Sequence, residues 1–432
     1  MYKYIPFIAL ISYILLFAET SQNINNDIIL ENADSLVGST FNEQSYREFY
    51  GNVVLKHRDV IVKSKYAKQY IEQNKADLLG NVKIEQNTML LLSPKIHYDG
   101  NAAFAYAYDS VKIIDKKTVL KATEGSYDIK NYIADFIINV NIEDDSINIF
   151  ANRIVYNRAT RVSKAFGDVF IKGKFTDVLI TADTIYSFPN DNYYAAFGKP
   201  VLYKIDTTYI TDSLDSYNTM AKYDTLTISA DTMEAFRNTS NEYYKFSGNV
   251  ELVKGDIMTK SNEAIYSKDS IILNHKPIVW YKQSQLYADS IIIKLKDNKV
   301  KNLYAFNNSI MVMVHDSIEK NRFNQIVGKD IIIDIDSATV QSVYSNGDAK
   351  SLYFFADDKG ENGVDRKSTD SIRIKFDNGE VDKIYWIGTT IAEFIPENLI
   401  FDDPMKFNLP LFQWNEDKPK QKQLILRANM KK

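Results

Sequence analysis

Residues 80–84 read Gly80-Asn81-Val82-Lys83-Ile84, and 29 positions earlier the chain reads Gly51-Asn52-Val53-Val54-Leu55. Adding 29 repeatedly gives Val111 in Asp109-Ser110-Val111-Lys112-Ile113, Val140 in Asn139-Val140-Asn141-Ile142, and Val169 in Gly167-Asp168-Val169-Phe170-Ile171. Apolar residues two apart, with a mostly polar residue between, have the period of a strand that buries one face. The same spacing holds in three further series: Ser93, Ala122, Ala151; Tyr98, Tyr127, Tyr156; and Ala76, Ala105, Ala134. No 3.6-residue apolar stripe competes with this pattern after the first 18 residues. A 29-residue unit of strands reads as one rung of an all-β, solenoid-like stack. Fixed offsets then set equivalent side chains above one another, with rungs about 4.8 Å apart. Val53, Val82, Val111, Val140 and Val169 become one apolar ladder, and Leu55, Ile84, Ile113, Ile142 and Ile171 a second.

The period loosens further on. Anchors recur at Val201, Val250, Ile278 and Ile310, and in weaker form at Ala349 and Ile391. A second phrase recurs with them: Ala182-Asp183-Thr184-Ile185, Ala230-Asp231-Thr232-Met233, Ala288-Asp289-Ser290-Ile291 and Thr369-Asp370-Ser371-Ile372. The longer gap between Val201 and Val250 holds an insertion near 206–223, read as a loop or short hairpin at an edge.

Composition narrows the function classes. There are no cysteines, which excludes disulfide scaffolds, thiolate metal sites and cysteine nucleophiles. The four histidines are far apart in sequence, and no metal site or cofactor is expected. The formal charge of −4 (52 Lys and Arg against 56 Asp and Glu) disfavours nucleic acid as a partner, which wants a basic footprint. Tyr (29) and Phe (23) are abundant and Gly (16) is scarce, as suits pleated, half-buried surfaces.

The N-terminus carries one lysine, an apolar run from Ile5 to Ala18 and a polar exit, the pattern of a secretory signal peptide over residues 1–18. Such a run is shorter than the roughly 20 residues of a membrane-spanning helix. The mature chain is therefore expected outside the cytoplasm, and without cysteine it suits a bacterial envelope; an uncleaved anchor is the other reading of the same segment.

The Gly-Asn-Val phrases at 51, 80 and 248 and Gly167-Asp168-Val169, alternating with Ala182-Asp183-Thr184-Ile185, Ala230-Asp231-Thr232-Met233 and Ala288-Asp289-Ser290-Ile291, resemble the OstA-like family. Members of the LptA type carry lipopolysaccharide through the periplasm. The resemblance extends over roughly residues 45–395, and the length of the chain is similar to that of the long, stand-alone proteins of the Bacteroidetes type. It implies a V-shaped β-jellyroll with a slot for acyl chains. The open strand at each end of such a stack exposes unpaired N–H and C=O groups, so edge-to-edge stacking with other β-jellyroll envelope proteins is expected, with association with the outer membrane. Residues 19–200 form a first block of repeats, 201–405 a second with the insertion, and 406–432 a polar C-terminal tail. Within that tail the stretch from Gln413 is expected to be poorly ordered, with Leu409-Pro410-Leu411-Phe412 as a cap. The ten ladder residues, Val53 to Ile171, are the expected lipid-binding slot. Lys56, Lys83, Lys112 and Lys172 alternate with them, at a headgroup rim or on an ordinary solvated face.

Two other readings stand beside this one. A parallel β-helix acting on polysaccharide would gather Asp, Arg or Lys in register on one outer face, and no such cluster repeats here. A structural or adhesive solenoid would have the same ladders around a dry core. No serine-hydrolase, metalloprotease or phosphate-loop signature is present, so no catalytic residue is assigned.

Overall fold

The computed structural model describes residues 27–41, 44–143, 145, 147–175, 177–211, 219–237, 242–315, 321–336, 338–357, 360–377, 380–400 and 403–423. The expected signal segment lies outside these residues, as do the middle of the insertion and the last nine positions. Among the described residues there are thirty β-strands, three single-turn 3-10 segments and no α-helix. The described residues are thus nearly all β, and contacts divide the chain into two units, Met1–Ala105 and Tyr106–Lys432.

In the first unit, strand Gln44–His57 turns at Arg58-Asp59 and returns antiparallel as Val60–Tyr70. Tyr50 faces Tyr66 and Val53 faces Ser64, so Gly51 and Asn52 together oppose only Lys65. Both have positive φ, 68° and 44°. This two-against-one β-bulge bends the strand. Glycine meets no steric penalty there, and Asn or Asp tolerates it. The pair recurs at Gly80-Asn81, Gly167-Asp168, Gly248-Asn249, Asn307-Asn308 and Gly347-Asp348. Ile138-Asn139 does the same with a β-branched residue at φ 66°.

Every bulged strand thus has two arms. In Met1–Ala105 the first arms include Gln44–Tyr50 and Lys75–Leu79, and the second arms Val53–His57 and Val82–Gln86. In Tyr106–Lys432 the second arms include Val140–Glu143, Val169–Gly173 and Val250–Lys254. The repeat seen in the sequence is therefore two antiparallel strands, not one rung. Ser64 lies between Val53 and the next strand, so equivalent valines are two strand spacings apart, about 9–10 Å. The other series now have a role. The residue facing each anchor valine is small: Ser64 to Val53, Ser93 to Val82, Ala122 to Val111, Ala151 to Val140, Ala182 to Val169 and Ser261 to Val250. Tyr98 and Tyr156 face Ala76 and Ala134 in the same large-against-small way. The antiparallel pairing does not fit the parallel β-helix.

Several later anchors sit one place off. Pro200, Pro277 and Ser309 follow the positive-φ pairs 198–199, 275–276 and 307–308, so Val201, Ile278 and Ile310 fall on the opposite face. Leu202, Val279 and Met311 take the inward place. The insertion is a lengthened hairpin: Val201–Thr211 pairs with Thr219–Ser229 over eleven residues.

Candidate functional site

The interior between the two arms is apolar because alternate residues of every strand point into it. In Met1–Ala105 the second arms contribute an inner row in which Leu55 faces Val62, Val62 faces Ile84 and Ile84 faces Leu91. Val53, Leu55, Val82 and Ile84 are each at most 1% exposed. Phe49, Leu78, Ile96 and Tyr98 of the first arms are equally buried. The mouth is joined by a hydrogen bond of 2.6 Å between the Tyr98 hydroxyl and His57 Nδ1, with the rings edge to face at 5.7 Å. Burial pushes the Tyr98 phenol well above its ordinary value of 10.0.

In Tyr106–Lys432 the inner row of the second arms runs Ile113, Leu120, Ile142, Ile149, Ile171, Ile180, Leu202, each facing the next across adjacent strands. Seven aliphatic side chains on successive strands span about 29 Å at 4.8 Å per strand. Val111, Val140 and Val169, one step nearer the corner, are 1% exposed. Ile113, Ile142, Ile149, Ile171 and Ile180 are only half-buried. The floor of this trough is sealed while its middle is accessible. The sequence ladder supplied Ile113, Ile142 and Ile171. It missed Leu120, Ile149 and Ile180, which come from the return strands and show only as members of a second, offset alternation.

Tip-to-tip contacts bound the accessible stretch. At one end Arg158 Nε donates to Asp115 at 3.3 Å and its Nη1 to the Tyr127 hydroxyl at 3.2 Å. At the other, Lys204 Nζ donates to Asn298 Oδ1 at 2.6 Å, and the Tyr281 hydroxyl donates to the Ala338 carbonyl. Beyond these, the arms close on a void of about 20 Å³. Ile257, Val279, Leu286 and Met311 line it from the second arms, and Leu303, Ile333, Ile335 and Val340 from the first. That is room for about one water molecule. Lys56, Lys83, Lys112 and Lys172 alternate with the inward positions and lie on the outer face of the second arms; Lys56 pairs with Glu31 at 3.5 Å.

The bends are built from the two recurrent phrases together. Asp231 donates its N–H to the Gly248 carbonyl and accepts a hydrogen bond from the Asn249 side chain. Asp34 relates to Gly51-Asn52 in the same way, and Asp289 to Asn307-Asn308. A Cβ on Gly198 would meet Asp183, and one on Gly388 would meet Asp370. The aspartate of one phrase therefore caps the bend made by the other.

The stretch expected to be a poorly ordered tail is, over residues 413–423, an extended segment on the outer face of the second arms. The buried Gln285 amide clasps the backbone of Asn415: its Nε2 donates to the carbonyl at 2.7 Å and its Oε1 accepts from the N–H at 3.0 Å. Trp280 Nε1 donates to the same carbonyl at 2.9 Å. The Gln325 Oε1 accepts from the Leu409 N–H at 2.9 Å. Phe407, Phe412 and Trp414 pack on a cluster that includes Val312, Phe323, Phe354 and Leu409.

Among the described residues no group of three or more His, Asp or Glu side chains is gathered as a metal ion would need. No helix among them is long and apolar enough to cross a membrane. No curated protein matches the chain. The family model described as OstA-like protein matches residues 25–174, which include the first five anchor valines and the Ile113–Ile171 part of the inner row. Over residues 25–174, with their bulged and valine-anchored repeats, the chain is thus similar to the OstA-like family.

Proposed function

We propose that the protein is a periplasmic carrier for lipopolysaccharide or a related lipid, exported by its N-terminal segment, with acyl chains lying along the inner row from Ile113 to Ile180. The observation that carries this reading is the accessible row of isoleucines above a sealed valine floor. Each methylene moved from water into such a trough contributes about 0.8 kcal/mol. The OstA-like match supports a lipid-transport role over an enzymatic one. In Met1–Ala105 the equivalent residues Val53, Leu55, Val82 and Ile84 are enclosed, and their burial favours a dry, structural role.

An edge suited to a partner lies at the other end of the chain. Strand Ile391–Pro396 pairs with Gly363–Ser368 on one side, and Ile391 and Phe394 are 72% and 57% exposed. Open strand edges recruit further strands. We propose that this edge receives another β-jellyroll of the envelope, leading toward the outer membrane. The test of the carrier reading is mass spectrometry of lipids that co-purify with the exported protein. Acylated lipid in near-stoichiometric amount is expected; protein purified from the envelope with no bound lipid, and no uptake of added lipopolysaccharide, overturns it.

A further inference from the structure

The outer face of the second arms in Tyr106–Lys432 continues as an apolar strip beyond the point where the described C-terminal segment stops. Phe170, Leu179 and Tyr203 form a cluster there with Phe150, Val201 and Ile205 packed against it. Phe170 neighbours the inward Val169 and Ile171, so it points outward. It is nevertheless 5% exposed, and Leu179 and Tyr203 are 8% and 5% exposed. Beside them, the side-chain oxygens of Asn141 and Asn148 are buried without a hydrogen-bond partner among the described residues. A buried acceptor left without a donor is destabilising, because it has lost its water and gained no partner. This strip therefore calls for a cover that is apolar and supplies N–H groups.

We propose that residues 424–431 of this same chain, Leu424-Ile425-Leu426-Arg427-Ala428-Asn429-Met430-Lys431, form that cover. Three observations select this occupant. First, the segment already runs straight toward the strip. Asn415 lies at Trp280, Asp417 pairs with Lys260, Lys422 with Glu251, Gln421 reaches Thr225, and the Tyr203 hydroxyl donates to the Gln423 carbonyl at 3.3 Å.

Second, the lengths agree. The strands of Trp280, Lys260, Glu251, Thr225 and Tyr203 are successive neighbours, so eight residues from 415 to 423 cross four strand spacings. Four further spacings lead from the strand of Tyr203 past Leu179, Phe170 and Asn148 to Asn141. At the same pace they need eight residues, 424 to 431. Third, the chemistry matches. The segment is polar where the face offers Lys260 and Glu251, and it becomes Leu-Ile-Leu where the face becomes Phe and Leu. Its backbone N–H groups are the donors that Asn141 and Asn148 require, as those of Leu409 and Asn415 serve Gln325 and Gln285.

The absence of native cysteine makes this directly testable in the full-length chain. The pace places residue 429 at the strand of Asn148, so Asn148→Cys with Asn429→Cys should form an intramolecular disulfide on mild oxidation. Ile149→Cys with Asn429→Cys, whose first cysteine points inward, should not. A second variant ending at Gln423 should keep its strand content by circular dichroism and bind a hydrophobic dye several-fold more strongly. Disulfide-linked dimers in place of the monomeric crosslink would overturn the proposal in favour of a second copy on the strip. Equal crosslinking of both cysteine pairs, no crosslinking at all, or unchanged dye binding after truncation would overturn it outright.

Discussion

The side-chain amide of Asn249 donates to the carboxylate of Asp231 at 2.8 Å, tying the bend of one strand to the start of the strand paired with it. The glycine between them is held close. A Cβ on Gly248 would stand 2.4 Å from Asp231 Oδ2, at a φ of +79°. Gly248→Ala is therefore expected to cost about 2 kcal/mol in urea unfolding, from backbone strain and the clash together. In an Asp231→Ala background the carboxylate contact is gone and only the tight 3.0 Å contact with Cβ of residue 231 remains, so the cost of the alanine should fall by about 1 kcal/mol. Equal costs in both backgrounds would show that the carboxylate does not crowd the bend.

Ile138 occupies a bend position at φ 66° and is 47% exposed. A left-handed backbone costs an L-residue about 1–2 kcal/mol, more than its exposed side chain regains. Ile138→Gly should raise stability by about 1 kcal/mol, a direction opposite to most substitutions of an aliphatic residue. Thermal unfolding of the single variant checks it; a lowered midpoint would mean that Ile138 packs more than its exposure suggests.

A buried charge separates trough from core. Val82→Asp places a carboxylate in an enclosed interior and should destabilise the protein by several kcal/mol. Ile142→Asp lies where the trough is accessible, so the empty protein should lose about 1 kcal/mol or less while lipopolysaccharide uptake falls at least tenfold. Thermal stability and lipid binding measured on both variants give the answer. Normal lipid uptake by folded Ile142→Asp protein would move the acyl site elsewhere.

Glu263 accepts hydrogen bonds from Asn274 at 3.0 Å and from Lys245, also at 3.0 Å, and these hold its carboxyl below its ordinary value of 4.5. A lowered folded value means that the unfolded chain takes up the proton first as pH falls. The stabilisation is present above the ordinary value and is lost as pH drops through the lowered one. The midpoint difference between wild type and Glu263→Gln should be constant above about pH 5.5 and shrink below about pH 4. A difference that does not change with pH would assign the effect to packing.

The all-β architecture was legible because glycine and asparagine at a bulge are demanded by backbone geometry, and geometry repeats where side chains drift. Val53 through Val169 keep their spacing for that reason. Pro200, Pro277 and Ser309 displaced the later anchors by one place. A proline or serine in the inward position looks like a turn residue in sequence, and the aliphatic residue beside it draws the eye. Half of the trough was hidden because Leu120, Ile149 and Ile180 belong to returning strands. The C-terminal segment had no period at all. Its partners, Gln285 and Gln325, read as ordinary polar residues, and only the structure shows each amide taking the place of a neighbouring strand's backbone.

The bend also acts as a ruler whose zero is reset on every strand. Register downstream of a bend is fixed by its own positive-φ pair and its own aspartate, so length added at an arm tip is not passed on. The eleven-residue hairpin Val201–Thr211 and Thr219–Ser229 shows this: the bend at Gly248-Asn249 that follows has the same geometry as the one at Gly51-Asn52. A chain built this way can grow by duplicating one 29-residue length, or by extending a single tip, without re-evolving the rest. Trough length and tip decoration thus become independently heritable traits.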